Sequence, residues 1–192
     1  MYIGRFAPSP TGPLHFGSLC CALASYADAK ANQGQWHLRI EDLDPPRCQP
    51  GASEVIIEQL HSHGLVPDSI SYQSQHLDRY QSTLEQLITR PNVYYCDCTR
   101  KEIVSRGGTE QGYCLSRQEQ IDPNDAAIRV RLETQPSWND LIQGQQQNSH
   151  ASTELILKRR DGLHAYPLAV VVDDVDLGAT HIVRGYDLID VA

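Results

Sequence analysis

The first forty residues of the chain have the pattern of a strand, a helix and a second strand. Residues 2–7 predict a short buried strand, the alanine-rich stretch 18–33 predicts a helix that ends before Gly34, and residues 36–40 alternate as a second strand. A strand, a helix and a strand within roughly 40 residues form the βαβ unit of a parallel sheet. The sequence therefore predicts an α/β fold with a doubly wound, Rossmann-like parallel sheet.

Further along the chain, this regular pattern breaks and then returns. Short pieces surround the cysteines between Tyr94 and Asn148, where GQQQNS predicts an exposed loop, and the strand and helix pattern resumes at Glu154. We therefore expect three segments. They are the first half of a nucleotide-binding α/β domain at 1–92, an inserted loop-rich module at 93–150, and the return to the α/β domain at 151–192.

The last residues start a helix pattern that the sequence does not complete. Asp187 is suited to cap a helix, and LIDVA starts an apolar pattern after it that stops within two turns. We expect from this pattern that the sequence is a fragment of a longer one, although a naturally short tail is the alternative.

Charge and apolar patterning narrow the classes of partner. The formal net charge of −8 argues against a non-specific nucleic-acid coat but leaves room for a local arginine face on RNA. No apolar run approaches the length of a membrane span, and the start MYIGR lacks the layout of a secretory signal. We expect a cytoplasmic protein without a membrane partner.

The proline-rich loop between the first strand and the first helix is a candidate ligand site. In a doubly wound sheet, ligands lie beyond the carboxyl ends of strands, beside helix N-termini with free N–H groups. Gly12 and Gly17 permit turns or the close approach of a ligand, and His15 can donate to a phosphate. Two interpretations carry equal weight on spacing alone: a nucleotide site, or a rigid turn with a structural histidine. Neither GxGxxG nor GxxxxGK[ST] occurs.

Four sequence blocks carry a specific resemblance. RFAPSPTGPLHFGSL and LRIEDLDPPR resemble the catalytic core of the glutamate-activating class I aminoacyl-tRNA synthetases, with His15-Phe16-Gly17-Ser18 in the place of the HIGH motif. RRDGLHAYPLAVVVDD (159–174) and THIVRGYDL (180–188) match the same family, so the resemblance covers essentially the whole chain. The HFGS tetrad, LDPPR and the short length are most similar to the branch without an anticodon-binding domain. Members of that branch activate L-glutamate with ATP and esterify it to queuosine in the anticodon of tRNA(Asp).

The resemblance implies two sets of site residues. Glutamate has two carboxylates and an ammonium, which suit arginine forks, a carboxylate and neutral hydrogen-bonding groups. We expect the glutamate-binding residues to be Arg5, Ala7, Ser9, Glu41, Tyr166 and Arg184. We expect the residues at ATP, which binds with Mg²⁺, to be Pro8, Thr11, Gly12, His15, Gly17 and Ser18.

Within these sets, two arginines, one acid and two residues of the loop have defined expected roles. Arg5 and Arg184 would bind the carboxylates, and Glu41 would take the ammonium. His15 and Gly17 are the expected catalytic residues, because His15 would donate to the phosphates while Gly17 would let the adenosine approach the backbone.

One family element has no counterpart in the sequence. The family has a KMSKS-like loop whose lysine stabilises the triphosphate, and Lys30, Lys101 and Lys158 lie in other contexts. If nothing follows Ala192, we expect glutamate activation to be crippled, while glutamate binding would remain.

A cluster of cysteines predicts a structural zinc site. Cys96-x-Cys98 followed by Cys114 in a loop-rich segment has the thiolate spacing of such a site. The family has a tyrosine where this sequence has Glu110, so we expect Cys96, Cys98, Glu110 and Cys114 as ligands of one zinc ion. Tyr113 or water is the alternative fourth ligand, and an empty site with reduced, buried cysteines is the alternative to zinc.

Two other groups of potential metal-binding residues are assigned no metal. Cys20 and Cys21 lie on the first predicted helix and are expected to pack in the core. Asp173, Asp174 and Asp176 form an acidic group for which the family blocks imply structural or substrate-edge roles, so no metal is assigned.

The leading hypothesis is thus a monomeric, ATP-dependent ligase that glutamylates queuosine in tRNA(Asp). One alternative is the catalytic fragment of a glutamyl-tRNA synthetase that charges the tRNA 3′ end. The other is a non-catalytic module that binds an amino acid or RNA.

Overall fold

A computed structural model describes residues 1–107, 113–134, 136–147 and 154–187. The described chain divides into two compact units, each of which folds around its own sheet. Within the described ranges, the first unit comprises residues 1–78 and 170–187, and the second comprises the residues from 79 to 169.

The first unit contains the parallel sheet that the sequence predicts. Its four strands run parallel in the order β3-β2-β1-β9. The strands are β1 (Ile3–Phe6), β2 (Gln35–Ile40), β3 (Ser69–Tyr72) and β9 (His181–Ile182). The helices of this unit are α1 (Phe16–Ala31), α2 (Ala52–Ser62) and the part of α5 (Tyr166–Leu177) from Val170 onward. Consecutive buried residues in β1 and β2 are typical of strands with both faces covered.

Strand β2 supplies the centre of the first core. Trp36, Leu38 and Ile40 are fully buried, and the indole Nε1 of Trp36 donates to Ser25 Oγ at 3.0 Å. The Ser25 hydroxyl donates in turn to the carbonyl of Arg5 at 3.2 Å, so α1 is tied to both β1 and β2. Fully burying side chains of this size stabilises the fold by about 1.5–3 kcal/mol each.

The turn between α1 and β2 depends on Gly34. Gln33 adopts a positive φ of 52°, and the chain then passes directly against the first strand. A Cβ atom at position 34 would lie 2.5 Å from the carbonyl oxygen of Tyr2. Only glycine fits there without displacing the backbone that leads into β1.

The second unit is built on antiparallel strands. Its sheet has the order β4-β5-β8, and a separate hairpin pairs β6 with β7. The strands are β4 (Val93–Cys96), β5 (Ala127–Arg131), β6 (Ser137–Asp140), β7 (Gly144–Gln147) and β8 (Glu154–Lys158). The helices are α4 (Arg100–Ser105) and most of α3 (Leu77–Leu87), and a buried cluster surrounds Tyr94, Cys96 and Cys114.

Two details of this unit differ from the expectations. The segment from Glu154 onward was expected to return to the α/β domain, but its strand β8 pairs with β5, and the second unit extends beyond the expected segment 93–150. Residues 144–147 were expected in an exposed loop and instead form β7, because the chain turns at 141–143 and pairs with β6.

The helix expected after Asp187 lies outside the described residues. Within the described ranges, no helix combines the length and the apolar character needed to cross a bilayer.

Candidate functional site

The histidine of the proline-rich loop caps the first helix. His15 has an extended backbone (φ −79°, ψ 166°), and its Nδ1 accepts the N–H of Ser18 at 3.2 Å. Its Nε2 lies 3.0 Å from Ser18 Oγ. Because Nδ1 accepts a hydrogen bond, the neutral ring carries its proton on Nε2. The structural role considered for His15 is therefore present, and its role at a phosphate stays a prediction.

Glycine is favoured at positions 12 and 17 of this loop for two different steric reasons. A Cβ atom at Gly17 would lie 3.1 Å from Cε1 and 3.2 Å from Nδ1 of His15, which would crowd the capping ring. Gly12 has a φ of 144°, in the region that glycine adopts most readily. The loop also contacts the end of β2, since the N–H of Glu41 donates to the carbonyl of Pro8 at 3.0 Å.

Arg5 forms a buried ion pair with Asp174. Only 4% of the Arg5 side chain is exposed, and its Nε and Nη2 donate to the two oxygens of Asp174 at 3.1 and 3.0 Å. Burial alone would raise the pKa of Asp174, but hydrogen bonds and charge from Arg5, together with Arg39, hold that pKa below its ordinary value. The arrangement is a bidentate fork, the strongest geometry for such a pair.

A second buried arginine joins the same carboxylate to Glu41. Arg39 Nη1 donates to Asp174 Oδ1 at 2.7 Å, while Arg39 Nη2 lies 3.6 Å from Glu41 Oε1. Arg39 Nε lies 3.6 Å from Asp173 Oδ2. Arg39 Nε, Arg39 Nη2 and Glu41 Oε1 are buried and make no hydrogen bond within the described part of the chain.

The environment of Glu41 has opposing effects on the pKa of its carboxyl. Burial raises the pKa of Glu41 to about 7, although the positive charges of Arg39, Arg5 and Arg184 oppose the shift. Glu41 is thus a buried carboxyl that changes its ionisation near neutral pH. A cation bound beside such a group favours its ionised form.

Asp173 anchors the neighbouring loop. Gln73 Nε2 donates to Asp173 Oδ2 at 2.8 Å, and His76 Nδ1 lies 2.9 Å from Asp173 Oδ1. The acidic residues at 173 and 174 therefore face nitrogen donors. A metal would have to compete with the arginines for the same oxygens.

The sequence reasoning missed Arg39, Gln73 and His76 in this cluster. One signal was available for Arg39. An arginine inside a strand of otherwise buried residues must have acidic partners, because an isolated charge is rarely buried. The adjacent acids Asp173 and Asp174 in an apolar helix carry the same signal.

The residues expected at glutamate and ATP occupy different surroundings. Arg5, Glu41 and Arg184 belong to the first unit, where Arg184 is close enough to lower the pKa of Glu41. Tyr166 is the first residue of α5, belongs to the second unit and is 44% exposed. The remaining expected residues lie along the loop from 7 to 18, where Pro8 is buried, Ala7 and Ser18 are half-buried, and Ser9 and Thr11 are exposed.

Three cysteines of the second unit converge as a candidate metal centre. The Sγ atoms of Cys96, Cys98 and Cys114 lie within 4.8 Å of one another. Cys114 Sγ lies 3.3 Å from Cys98 Sγ and 3.6 Å from Cys96 Sγ, and all three thiols are free of disulfides. Zinc–sulfur bonds of about 2.3 Å in a tetrahedron separate the sulfurs by about 3.8 Å. The three thiols therefore fit a zinc ion, while the expected fourth ligand Glu110 lies outside the described residues.

Two arginines lie beside these thiols. Arg106 Nη1 donates to Cys98 Sγ at 3.1 Å, and Arg117 lies 3.8 Å from Cys114 Sγ while it also contacts Asp97. Both guanidinium groups lie over the ring of Tyr113, at 4.0 and 4.6 Å from its centre. Positive charge of this kind would offset the negative charge of thiolate ligands.

The expectation that Cys20 and Cys21 pack in the core is confirmed for only one of them. Cys21 is half-buried and packs against the first core, as expected. Cys20 is exposed, so its expected place in the core is wrong, because it lies on the solvent side of α1.

Comparisons with known proteins agree with this fold. The family model for the catalytic domain of class I tRNA synthetases (E and Q) matches residues 3–191. A glutamyl-Q tRNA(Asp) synthetase of Idiomarina loihiensis is 49% identical over 98% of this chain and 68% of its own length. The protein of that name from Pectobacterium atrosepticum is 50% identical over 98% of this chain and 59% of its own length. The chain thus spans about three fifths to two thirds of these curated relatives.

Solved structures give the same answer. The structure of a glutamate tRNA ligase from Elizabethkingia meningosepticum, in complex with its amino acid, superposes with a TM-score of 0.83 at 30% identity. The match covers 98% of this chain and 44% of that one. A putative arginyl tRNA synthetase from Campylobacter jejuni shares the fold at 13% identity with a TM-score of 0.54. The family model and the curated relatives lead to one conclusion: this chain belongs to the class I tRNA synthetases of the glutamate and glutamine type, within their catalytic domain.

Proposed function

We propose that this chain activates L-glutamate with ATP and transfers it to the queuosine of tRNA(Asp). The observation that carries the proposal is a difference in similarity. The chain is 49–50% identical to proteins named glutamyl-Q tRNA(Asp) synthetase, but 30% identical to a glutamate tRNA ligase of the same fold. The higher identity supports the acceptor for which the curated relatives are named.

The buried cluster of the first unit suits the amino acid. In the proposal, Arg5 and Arg184 bind carboxylates of glutamate, and Glu41 accepts its ammonium. The buried Glu41 Oε1 makes no hydrogen bond among the described residues, and an ammonium donor would satisfy it. A positively charged ligand also stabilises the ionised form of a carboxyl whose pKa is about 7.

The chemistry of activation needs alignment more than covalent help. An α-carboxylate oxygen of glutamate attacks the α-phosphorus of ATP in line, which forms glutamyl-adenylate and releases pyrophosphate. In the proposal, Nδ1 of His15 keeps the N–H of Ser18, while the Ser18 hydroxyl rotates away from Nε2 and the Nε2 proton is donated to a phosphate oxygen. The N-terminus of the 16-residue helix α1 adds its dipole at the same place. Mg²⁺ would enter with ATP as part of the substrate.

In the second step, a hydroxyl of the queuosine cyclopentenediol attacks the adenylate carbonyl, so that an ester forms and AMP leaves. We also propose that the protein is cytoplasmic, because its proposed substrate is a tRNA, and that it is a monomer.

Zinc has a structural part in the proposal. Cys96, Cys98 and Cys114 would hold it, with Glu110 as the fourth ligand and Tyr113 or water as the alternatives. The ion would cross-link β4 to the segment that carries Cys114, and no reaction step passes through it.

A second candidate function is the charging of a tRNA 3′ end by a glutamyl-tRNA synthetase. The TM-score of 0.83 with a glutamate tRNA ligase favours it. A non-catalytic binding module is the third candidate, and it would bind glutamate without forming adenylate.

The experiment follows glutamate-dependent ATP–pyrophosphate exchange in this chain and in any longer natural form of it. Transfer of labelled glutamate is then measured to tRNA(Asp) that carries queuosine, to tRNA(Asp) that lacks it, and to queuosine tRNA(Asp) without its terminal adenosine. We expect labelling of both queuosine-containing tRNAs and none of the other. Labelling that requires the terminal adenosine would favour the second candidate, and binding without exchange would favour the third.

A further inference from the structure

The ion pair of Arg5 is part of a network that also contains Asp174 and Arg39. These two residues are not among those assigned to glutamate. Asp174 Oδ1 accepts from Arg5 Nε at 3.1 Å and from Arg39 Nη1 at 2.7 Å, while its Oδ2 accepts from Arg5 Nη2 at 3.0 Å. One carboxylate therefore holds two arginines that come from neighbouring parallel strands, β1 and β2. All three residues belong to the first unit.

The contact restricts Arg5 in both direction and rotation. Two parallel hydrogen bonds from Nε and Nη2 fix the plane of the guanidinium, whereas a single bond would leave it free to turn. The side chains of Arg5 and Asp174 are 4% and 13% exposed, so little water is present to replace a lost bond. Removal of the carboxylate would leave a buried cation without its strongest acceptor.

Asp174 itself is held from its other side. Arg39 is 3% exposed and lies between Asp174 and Glu41, at 2.7 Å from an oxygen of the first and 3.6 Å from an oxygen of the second. The neighbouring Asp173 receives Gln73 at 2.8 Å. This arrangement fixes the carboxylate before any ligand enters, which is what a positioning group requires.

We propose that Asp174 is a positioning residue for glutamate recognition, which acts by orienting the guanidinium of Arg5. The inference rests on the proposed function, because it assumes that Arg5 binds glutamate. It predicts that the loss of Asp174 weakens glutamate binding and leaves the binding of ATP little changed.

The test measures KM and kcat in ATP–pyrophosphate exchange with the natural full-length protein and its Asp174→Asn variant. We expect the KM for glutamate to rise about tenfold or more, as for the loss of a hydrogen bond to a charged group, with the KM for ATP changed less than about twofold. Glu58→Gln, an exposed substitution on α2 with the same change in charge, is the matched control and should leave both constants unchanged.

A double variant shows whether Asp174 acts through Arg5. In an Arg5→Lys background the fork is already lost, so Asp174→Asn should change the KM for glutamate by less than about twofold. The same tenfold rise in that background would overturn the proposal, since Asp174 would then act independently of Arg5. A KM for glutamate that stays the same or falls in the single variant would overturn it too, because Asp174 would then be neutral or would compete with the substrate.

Asp174→Glu keeps the test decisive if Asp174→Asn does not fold. This variant retains the charge but moves the carboxylate by one methylene, and we expect a rise of several-fold in the KM for glutamate alone. An unchanged KM in Asp174→Glu would overturn the proposal. Parent protein without glutamate-dependent exchange would instead refute the proposed function, so the two failures are distinguishable.

Discussion

Arg39 Nη2 lies 3.6 Å from Glu41 Oε1, close enough for attraction between the charges but beyond hydrogen-bond distance. The two residues stand two positions apart, at the end of β2 and just after it, and both are buried. The arginine therefore only partly offsets the cost of removing the carboxylate from water. The raised pKa of Glu41, about 7, is the consequence.

Protein stability should depend on this carboxyl. The pKa of Glu41 rises from an ordinary value of 4.5 to about 7 on folding, so the folded state holds more protons between these values. The contribution of Glu41 is therefore most favourable below about pH 4.5 and is lost as the pH rises towards 7, by on the order of 3 kcal/mol. Urea denaturation at several pH values checks this in the parent and in Glu41→Gln.

The difference between the two proteins isolates Glu41 from other titrating groups. Glu41→Gln should be the more stable protein near pH 8, and its advantage should disappear near pH 5. Asp174 does not disturb this window, because Arg5 and Arg39 hold its pKa below its ordinary value. A stability difference that is constant with pH would contradict the prediction.

Glutamate affinity should have the opposite dependence on pH. If Glu41 binds the substrate ammonium, the ionised carboxylate is the binding form, and its fraction grows as the pH passes through about 7. We expect the KM for glutamate to fall about tenfold between roughly pH 6 and pH 8. Exchange kinetics at saturating ATP measure it, with the KM for ATP as the control, and a flat profile for glutamate would count against this role.

Replacement of His15 separates its two roles. His15→Ala removes the side-chain acceptor for the N–H of Ser18 and should lower the free energy of unfolding by about 1 kcal/mol. His15→Asn restores a good capping residue and should recover most of that loss. Both variants should slow adenylate formation if Nε2 donates to a phosphate. Thermal denaturation measures the change in stability, and the rate of ATP–pyrophosphate exchange measures adenylate formation. Full activity in His15→Asn would leave the histidine with the capping role alone.

The cysteine cluster should bind one zinc ion per chain. We expect Cys114→Ser to weaken zinc binding at least tenfold in competition with a chromogenic chelator, because the substitution removes a buried thiolate that the other two sulfurs face. The exposed Cys20 provides the control, and Cys20→Ser should bind zinc like the parent. Protein that contains no zinc after growth with added metal would refute the site.

Gly34→Ala should destabilise the protein. The added methyl would lie 2.5 Å from the carbonyl oxygen of Tyr2, and backbone can yield only by shifting β1. We expect a loss of about 1–3 kcal/mol in chemical denaturation. The neighbouring exposed substitution Gln35→Ala should cost little, and equal stability of the two variants would show that the turn can relax.

The sequence predicted the parallel sheet, the first helix and the proximity of Cys96 to Cys98 because each depends on local order. Apolar periodicity over residues 2–40 is enough to specify a βαβ unit, and Cys96 and Cys98 are neighbours whatever the rest of the chain does. The resemblance supplied Arg5, Glu41 and Arg184, and the structure brings Arg5 to the same buried network as Glu41. The first helix begins at Phe16 rather than at residue 18, because His15 caps it by accepting the N–H of Ser18.

Pairing between distant segments was decided only by the tertiary structure. Asp174 lies 169 residues after Arg5 and 135 after Arg39. No local sequence pattern predicts that one carboxylate will accept hydrogen bonds from both arginines. Strand β8 likewise pairs with β5 rather than with the parallel sheet. Periodicity reports which residues are buried, whereas the partner of a buried charge or a strand edge depends on which segments meet when the chain folds.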